Sequence, residues 1–176
     1  MELNRVLYTW AATEKFNKLM STLIDVTQAA NDEGIEVILG GSAGVELLTK
    51  ESLGCDDLDV SVHIEDLLKF SLLLIRIGFT RTGNLNKNQY VRNGVEVDFG
   101  AIEDYMERSG VSVPDYITYW VSGQTSTGSD ETNIGAVKSF GRQTLVSIYS
   151  YLSQHPDRKA EKKLKDIRKI ELLANV

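Results

Sequence analysis

Two short segments of the chain alternate apolar and polar side chains. In the first, residues 57–62, three apolar side chains alternate with Asp57, Asp59 and Ser61. Successive side chains of a β-strand point to opposite faces, so the pattern predicts a strand that packs one face. The other face would carry Asp57 and Asp59 side by side.

The second alternating segment, residues 88–99, predicts a β-hairpin. Asn93 and Gly94 at its centre are the pair that a type I′ turn prefers, since both turn residues need a positive φ. Its second strand would present Glu96 and Asp98 on one face and three apolar side chains on the other. If this strand pairs with the first, Asp98 can join the two carboxylates there.

Helical spacing of apolar residues, with glycine and proline as boundaries, predicts most of the other elements. A cluster of aromatic residues at 105–121 contains Pro114, which favours a helix that begins near it. Residues 123–135 are rich in Gly, Ser and Thr and read as a surface loop, with a lid as the alternative. The remaining predicted elements are helices at residues 13–34, 43–50, 65–77, 143–154 and 158–173, and strands at residues 35–39 and 79–82.

These elements predict an α/β (α+β) fold, a small mixed β-sheet with flanking helices and further helices at the C-terminus. A length of 176 residues suits one domain, or a larger unit with a small helical tail. We expect residues 1–140 to form the catalytic unit and residues 141–176 a helical section packed on the same domain.

The N-terminus, the apolar runs and the cysteine content indicate where in the cell the protein is located. The N-terminus lacks the order of a signal peptide, and the apolar run at residues 72–75 is too short to span a bilayer. A single cysteine, Cys55, excludes an internal disulfide framework, and its acidic neighbours make a nucleophilic thiolate improbable. We therefore expect a cytoplasmic protein that does not bind membranes.

The net charge of −6 is unevenly distributed. Residues 157–176 contain seven Lys or Arg against four Asp or Glu, a balance of +3, which leaves −9 for residues 1–156. An acidic body is a poor surface for long nucleic acid. It would attract a cationic small molecule or a nucleotide already bound to magnesium.

The candidate chemistry begins at the turn Gly40, Gly41 and Ser42. The glycines let the backbone turn tightly and approach a ligand, and Ser42 adds a hydroxyl at a helix start, where anions bind. Further on, Asp57 and Asp59 would repel each other without a cation, and Mg²⁺ prefers carboxylate and phosphate oxygens. The pattern indicates a metal-bridged phosphate; the alternatives are an ordinary capped turn and solvated carboxylates.

In this order and spacing, Gly41 and Ser42, then Asp57 and Asp59, then Asp98 resemble the signature of DNA polymerase β-type nucleotidyltransferases. The spacing is most similar to the small antibiotic nucleotidyltransferases, which adenylylate lincosamides and the aminoglycoside 2″-hydroxyl. The resemblance covers residues 35–99 and extends weakly to Lys165 and Asp166. It departs at residues 52–55, which lack the Arg and His that these relatives usually carry before the acidic pair.

The resemblance implies Mg²⁺-dependent transfer of a nucleoside monophosphate, AMP from ATP or the equivalent from another NTP, to the hydroxyl of a small molecule, with release of pyrophosphate. Two Mg²⁺ ions would be held by the acids, with Asp98 completing the metal site or accepting the acceptor's proton. The implied site residues are Asp57, Asp59 and Asp98 for metal and catalysis, Gly40, Gly41 and Ser42 for phosphate, and Lys165 for the triphosphate. The alternatives are a minimal nucleotidyltransferase of a toxin–antitoxin pair that modifies protein or RNA, and a non-catalytic relative that binds a nucleotide or a partner.

The sequence assigns no direct catalytic role to the other charged residues. We interpret Asp56 as a neighbour that tunes the charge of the site, and we give Glu96 no clear ligand role. Other phosphate binders would be Lys138 and Arg142, and the two histidines, His63 and His155, are expected to be polar surface. A solvated helix face is expected to carry Lys162, Lys163, Lys165, Arg168 and Lys169.

The aromatic residues Tyr105, Tyr116, Tyr119 and Trp120 leave three interpretations open. They could line a pocket for a cationic, partly apolar acceptor, form core, or form the interface of a homodimer. We expect a homodimer whose acceptor pocket is partly built from residues 105–121.

Overall fold

The structure is a computed structural model that describes residues 14–83, 86–124 and 132–176, together with the backbone of residues 5–7. Within these residues no helix is long and apolar enough to cross a membrane. The elements are β1 Arg5–Leu7, α1 Glu14–Asp32, β2 Ile38–Leu39, α2 Gly41–Thr49, β3 Asp57–Val62, a 3-10 turn Ile64–Asp66, α3 Leu67–Arg76, β4 Thr80–Arg81, β5 Gln89–Arg92, β6 Val95–Ala101, α4 Ile102–Ser109, β7 Tyr116–Gln124, β8 Thr132–Phe140, α5 Arg142–Gln154 and α6 Ala160–Ala174.

The described strands form one mixed sheet of eight, in the order β1-β7-β8-β2-β3-β6-β5-β4. At its centre, β3 pairs antiparallel with β2 and parallel with β6. The mixed sheet with flanking and C-terminal helices confirms the fold predicted from the sequence. The hairpin of β5 and β6 is also confirmed, because Asn93 and Gly94 have φ values of 51° and 76°.

Side chains on the two faces of the sheet enter two separate cores. Leu39 of β2 packs with α1, α3 and the apolar face of β3 and β6, whereas its neighbour Ile38 packs with α4, α5 and α6. Leu58, Val60 and Val62 fill the first core. The carboxylates of β3 therefore point to the side of the sheet on which the C-terminal helices lie.

The helix expected near Pro114 was wrong, because residues 116–124 form strand β7. Its run of aromatic and β-branched side chains suits a strand, and all nine residues pair in register with β8. The residue after Pro114 contributes to the start of a different helix, α5. The Asp115 carboxylate accepts hydrogen bonds from the backbone N–H groups of Gln143 (3.2 Å) and Thr144 (2.8 Å).

Both ends of the loop predicted at residues 123–135 belong instead to β7 and β8. Its centre, residues 125–131, lies outside the described residues, as does the helix cap expected at Thr13. The first described residue of α1 is Glu14, and Gly34, with a φ of 72°, lies just beyond the end of that helix as predicted.

Candidate functional site

Four carboxylates meet on one face of β3 and β6. The parallel register places Asp57 beside Glu96 and Asp59 beside Asp98. Strand alternation puts all four on the same face, and we call this group the strand wall. Oxygen atoms of Asp57, Glu96 and Asp98 lie within 4.8 Å of one another. Glu96, for which the sequence indicated no clear ligand role, also lies in this cluster.

Asp59 instead lies against the glycine turn. The φ of Gly41 is 61°, and a Cβ placed on it would lie 2.7 Å from the Cβ of Asp59. Only glycine satisfies both the backbone angle and the close approach. The N–H of Gly40 donates to the backbone oxygen of Asp59 at 2.8 Å, which fastens the turn to β3.

Burial and mutual repulsion raise the pKa values of two of these carboxyls. Burial is the larger cause at Asp59, whose pKa rises to about 7, and the charges of Asp57 and Asp98 add to it. Burial and then the charge of Glu96 raise the pKa of Asp98 to about 6. The strand wall therefore holds its negative charge at a cost that a bound cation would remove.

The same carboxylates suit a divalent metal ion. The Oδ1 atom of Asp98 is buried and accepts no hydrogen bond from any side chain or backbone group in the described residues. A buried polar atom without a partner is costly unless something else binds it. Oxygen donors alone are the ligand set of Mg²⁺ and similar hard cations, so Asp57, Glu96 and Asp98 fit such an ion.

A row of lysines on α6 faces the carboxylates across a cleft of about 590 Å³. Lys162, Lys165 and Lys169 are spaced i, i+3 and i+7, so they share one face of the helix, and all three line the cleft. We call them the helix wall. Lys163, one position after Lys162, and Arg168, one position before Lys169, are not among the lining residues.

Lys169 is the innermost of the helix wall. It is half-buried, and its Nζ lies 4.4 Å from the centre of the Tyr149 ring. Burial lowers the pKa of Lys169, while the Lys169 charge partly offsets the raised pKa of Asp59. The expectation of a solvated face was wrong for this residue, because its helix docks over the carboxylates.

The predicted pair of Lys165 and Asp166 divides into two roles. Lys165 is exposed and lines the cleft. Asp166 is 1% exposed and accepts two hydrogen bonds from the guanidinium of Arg158, from Nε at 2.6 Å and from Nη2 at 2.8 Å. This pair fixes the approach of the chain to α6, so the Asp166 carboxylate is occupied.

Gly40, Gly41 and Ser42 line the same cleft at the start of α2. The first N–H groups of a helix have no partner within it, and Gly40 at the N-cap position has no side chain to accept from them. The loop that leads from α2 to Asp57 is held by the buried Glu46, which accepts hydrogen bonds from the N–H groups of Leu53 and Cys55.

Several other residues singled out in the sequence lie away from the cleft. Lys138 pairs with Glu36 at 2.9 Å, and Arg142 donates from Nε to the backbone oxygen of Leu173 at 2.6 Å. His63 forms a 2.8 Å hydrogen bond with Glu103, as suits polar surface. Lys138 and Arg142 are not among the residues that line the cleft, so no phosphate-binding role follows for them.

Asp56 and Cys55 also lie outside the chemistry. Asp56 is exposed and forms an ion pair with Lys15. Cys55 is buried, and burial together with Glu46 raises the pKa of its thiol far above its usual value. The thiol is therefore protonated and not nucleophilic.

The aromatic stretch is divided between the cleft and the core. Tyr105 lines the cleft, next to Gly100 of β6. Tyr119 is buried in the core, and Tyr116 stacks with Phe140 at 5.9 Å. Trp120 lies on β7 and is not among the lining residues. One of the four aromatics is thus placed to contact a ligand there.

The fold recurs in solved nucleotidyltransferase structures. The crystal structure of ANT(2″)-Ia in complex with adenylyl-2″-tobramycin matches with a TM-score of 0.54 and 16% identity, over 89% of this chain and 88% of that one. Lincosamide antibiotic adenylyltransferase LnuA, bound to lincomycin, matches with a TM-score of 0.51 and 13% identity, over 88% and 98% of the two chains.

A nucleotidyltransferase-like protein from Paracoccidioides brasiliensis, described as antigenic, gives a TM-score of 0.61 at 15% identity, over 93% of this chain and 77% of that one. No protein-family model and no curated protein matches the sequence. The chain therefore has the nucleotidyltransferase fold, and at these identities the likeness extends to the fold alone.

Proposed function

We propose that the protein is a Mg²⁺-dependent nucleotidyltransferase that transfers AMP from ATP, or the equivalent group from another NTP, to a hydroxyl of a small molecule. The observation that carries the proposal is the strand wall beside the Gly41 turn, with Asp98 Oδ1 buried and unpartnered among the described residues. Carboxylates crowded in this way are chemically useful when they hold cations against phosphate oxygens.

Asp57, Glu96 and Asp98 would hold the metal, with Asp59 as a further ligand after a change of side-chain rotamer. When bound, Mg²⁺ would neutralise charge on the phosphate oxygens. Two ions are expected from the resemblance, and four carboxylates offer enough oxygens for them.

The chain's own residues would hold the triphosphate between two walls. The N–H groups and hydroxyl at Ser42 would bind phosphate oxygens at the start of α2, where the helix dipole favours an anion. Lys169 and Lys165 would contact the triphosphate from α6. This placement orients the donor before any chemistry and excludes water from the cleft.

The acceptor hydroxyl would attack the α-phosphorus while pyrophosphate leaves. Where Asp98 is not a metal ligand, it is the candidate base for the hydroxyl proton. In a metal-bound site Asp98 would serve as a ligand instead, and its proton-accepting role would then pass to solvent. ANT(2″)-Ia and LnuA suggest an aminoglycoside or a lincosamide hydroxyl as the acceptor and antibiotic resistance as the role.

Assembly and compartment remain part of the proposal. We expect a homodimer in the cytoplasm, with residues 1–140 as the catalytic unit and residues 141–176 as a helical section. The helical section would contribute Lys165 and Lys169 to the site, so removing it would abolish donor binding even where the sheet still folds.

Radiolabelled ATP tests the reaction class. The protein is incubated with Mg²⁺, a panel of hydroxyl-bearing compounds that includes lincomycin and tobramycin, and ATP labelled on either the α- or the γ-phosphate. We expect label in the product from the α-labelled donor alone, and none with Asp98→Asn. Transfer of the γ-label, or equal transfer by Asp98→Asn, would contradict the proposal.

A further inference from the structure

The cleft continues past the helix wall into a second cavity of about 390 Å³. The two adjoin, because Arg108, Leu152, Arg158 and Lys162 line both. The extension is lined by these three cations, by Lys159 and by the ring of Tyr151. We call it the basic arm.

The basic arm has an excess of positive charge. Arg158 is neutralised by the buried Asp166. Arg108, Lys159 and Lys162 are exposed, and none of the three forms a salt bridge within 4.0 Å in the part of the chain that the structure describes. Asp157 is the one carboxylate that lines the arm. Three cations against one carboxylate make a site for an anion on a body that is otherwise acidic.

The donor triphosphate would leave the far end of the helix wall, at Lys162, unoccupied. It would be bound at the strand wall, with Lys169 and Lys165 opposite. Lys162 lies seven residues before Lys169 on α6, about 10 Å further along the helix axis. The cations of the arm are therefore surplus to the donor and are placed for a second anionic group.

We propose that the basic arm binds the phosphate group of a small phosphorylated acceptor. This inference rests on the proposed nucleotidyl transfer and identifies the class of its second substrate. The acceptor's phosphate would lie among Arg108, Lys159 and Lys162, while a hydroxyl of the same molecule reaches the strand wall. A polycationic aminoglycoside would be repelled from the arm.

The transfer balances for such an acceptor. The hydroxyl oxygen forms a bond to the α-phosphorus of ATP, and the bond from that phosphorus to the oxygen bridging to the β-phosphate breaks. Pyrophosphate leaves with the electron pair, and the hydroxyl proton passes to Asp98 or to water. The product is a phosphodiester that joins AMP to the acceptor, and the acceptor keeps its own phosphate.

The size of the arm and the charge of the body favour a small acceptor over a nucleic acid. The arm is an open pocket of about 390 Å³, which is room for a small molecule. Residues 1–156 carry a net charge of −9, which opposes the backbone of a long polyanion. The acceptor that these observations favour is therefore a phosphorylated small molecule, such as a sugar phosphate.

Binding measurements on the full chain separate the possibilities. With Mg²⁺ and saturating α,β-methylene-ATP, ribose 5-phosphate and ribose are titrated by calorimetry. We expect ribose 5-phosphate to bind at least about tenfold more tightly than ribose, because charge-assisted hydrogen bonds form to its phosphate. Arg108→Ala/Lys159→Ala should reduce this preference to less than about threefold.

The matched control is Lys163→Ala/Arg168→Ala, which removes the same charge from residues of α6 that do not line the cleft or the arm. It should keep the tenfold preference, and all three proteins should bind α,β-methylene-ATP with equal affinity. Ribose 5-phosphate that binds no better than ribose, or equally well to the arm and control variants, would overturn the inference.

Two further outcomes would also overturn it. If the arm variant loses affinity for α,β-methylene-ATP and keeps the phosphate preference, the arm belongs to the donor. If a short single-stranded RNA binds more tightly than ribose 5-phosphate, the acceptor is a nucleic acid. Failure of every protein to bind α,β-methylene-ATP with Mg²⁺ would instead refute the proposed nucleotidyl transfer itself.

Discussion

The two walls of the cleft are built by different means. Each carboxylate of the strand wall is placed by strand alternation and by one parallel register, Asp59 against Asp98. The helix wall depends on how α5 docks on the sheet and α6 on α5, through contacts such as Asp115 to Thr144 and Arg142 to Leu173. The strand wall is thus set by short-range geometry and the helix wall by long-range packing.

The largest expected effect comes from removing one anion of the strand wall. Asp57→Asn keeps the size of the side chain, and we expect nucleotidyl transfer to fall by at least about a hundredfold, because charge stabilisation at the phosphate is lost. Release of labelled pyrophosphate measures it. Asp56→Asn is the matched control, since the neighbouring Asp56 is exposed and paired with Lys15. A similar loss in both variants would contradict the role of Asp57.

Removing the innermost charge of the helix wall should have a smaller effect. Lys169→Met keeps length and burial, and we expect transfer to fall about tenfold as a contact to the triphosphate is lost. Because Lys169 lowers the pKa of Asp59, the acid limb of the pH–rate profile should also move to higher pH. Lys163→Met should change neither. An unshifted profile with normal transfer would leave Lys169 as packing alone.

These two predictions correspond to what the sequence could and could not reveal. Alternation at residues 57–62 and the Asn93 and Gly94 turn depend on local geometry, so the strands and their carboxylates were predictable. The spacing of Lys162, Lys165 and Lys169 was also visible. Whether that face meets solvent or the cleft depends on docking, which no local pattern encodes.

The missed strands have a similar explanation. The facing ends of β7 and β8 are rich in Gly, Ser and Thr. This composition is typical of a loop, so the sequence did not indicate that the two strands pair over nine residues. Gly135 is required there because a Cβ on it would lie 2.7 Å from Cγ2 of Ile24 on α1. The glycine marks a close helix–sheet contact, and composition alone reads such a glycine as a loop signal.

The burial and mutual repulsion of carboxylates in the strand wall should be measurable as a change in stability with pH. The pKa of Asp59 is raised in the folded state to about 7, from 3.8, so the folded protein binds a proton that the unfolded chain releases. Stability should therefore fall as pH rises from about 4 to about 7. Asp59→Asn should remove this loss and be more stable than the parent at pH 8 by a few kcal/mol, on the order of one per pKa unit.

Urea unfolding with EDTA, at pH 5 and at pH 8, measures that difference. The advantage of Asp59→Asn should be larger at pH 8 and shrink toward pH 5. The exposed Asp56→Asn variant retains Asp59 and should therefore keep the pH dependence of the parent. If Asp59→Asn is less stable than the parent at pH 8, burial and repulsion of the Asp59 carboxylate do not determine the stability of the strand wall.

The smallest expected effect concerns the docking of the helix wall. Asp115→Ala removes the carboxylate that accepts from Gln143 and Thr144 at the start of α5. We expect a loss of about 1–2 kcal/mol in the free energy of unfolding. Asp157→Ala, an exposed acidic residue before α6, serves as the control in the same urea titration. Equal stabilities would show that other contacts dock α5.

Crystals grown with Mn²⁺ and α,β-methylene-ATP test most directly whether the two walls act on one metal-bound triphosphate. Anomalous scattering from manganese locates the ion independently of the protein. If the two walls hold one metal-bound triphosphate, manganese is bound by carboxylates of Asp57, Glu96 and Asp98, and the triphosphate contacts Ser42 and Lys169. Manganese bound elsewhere, or a triphosphate outside the cleft, would contradict this arrangement.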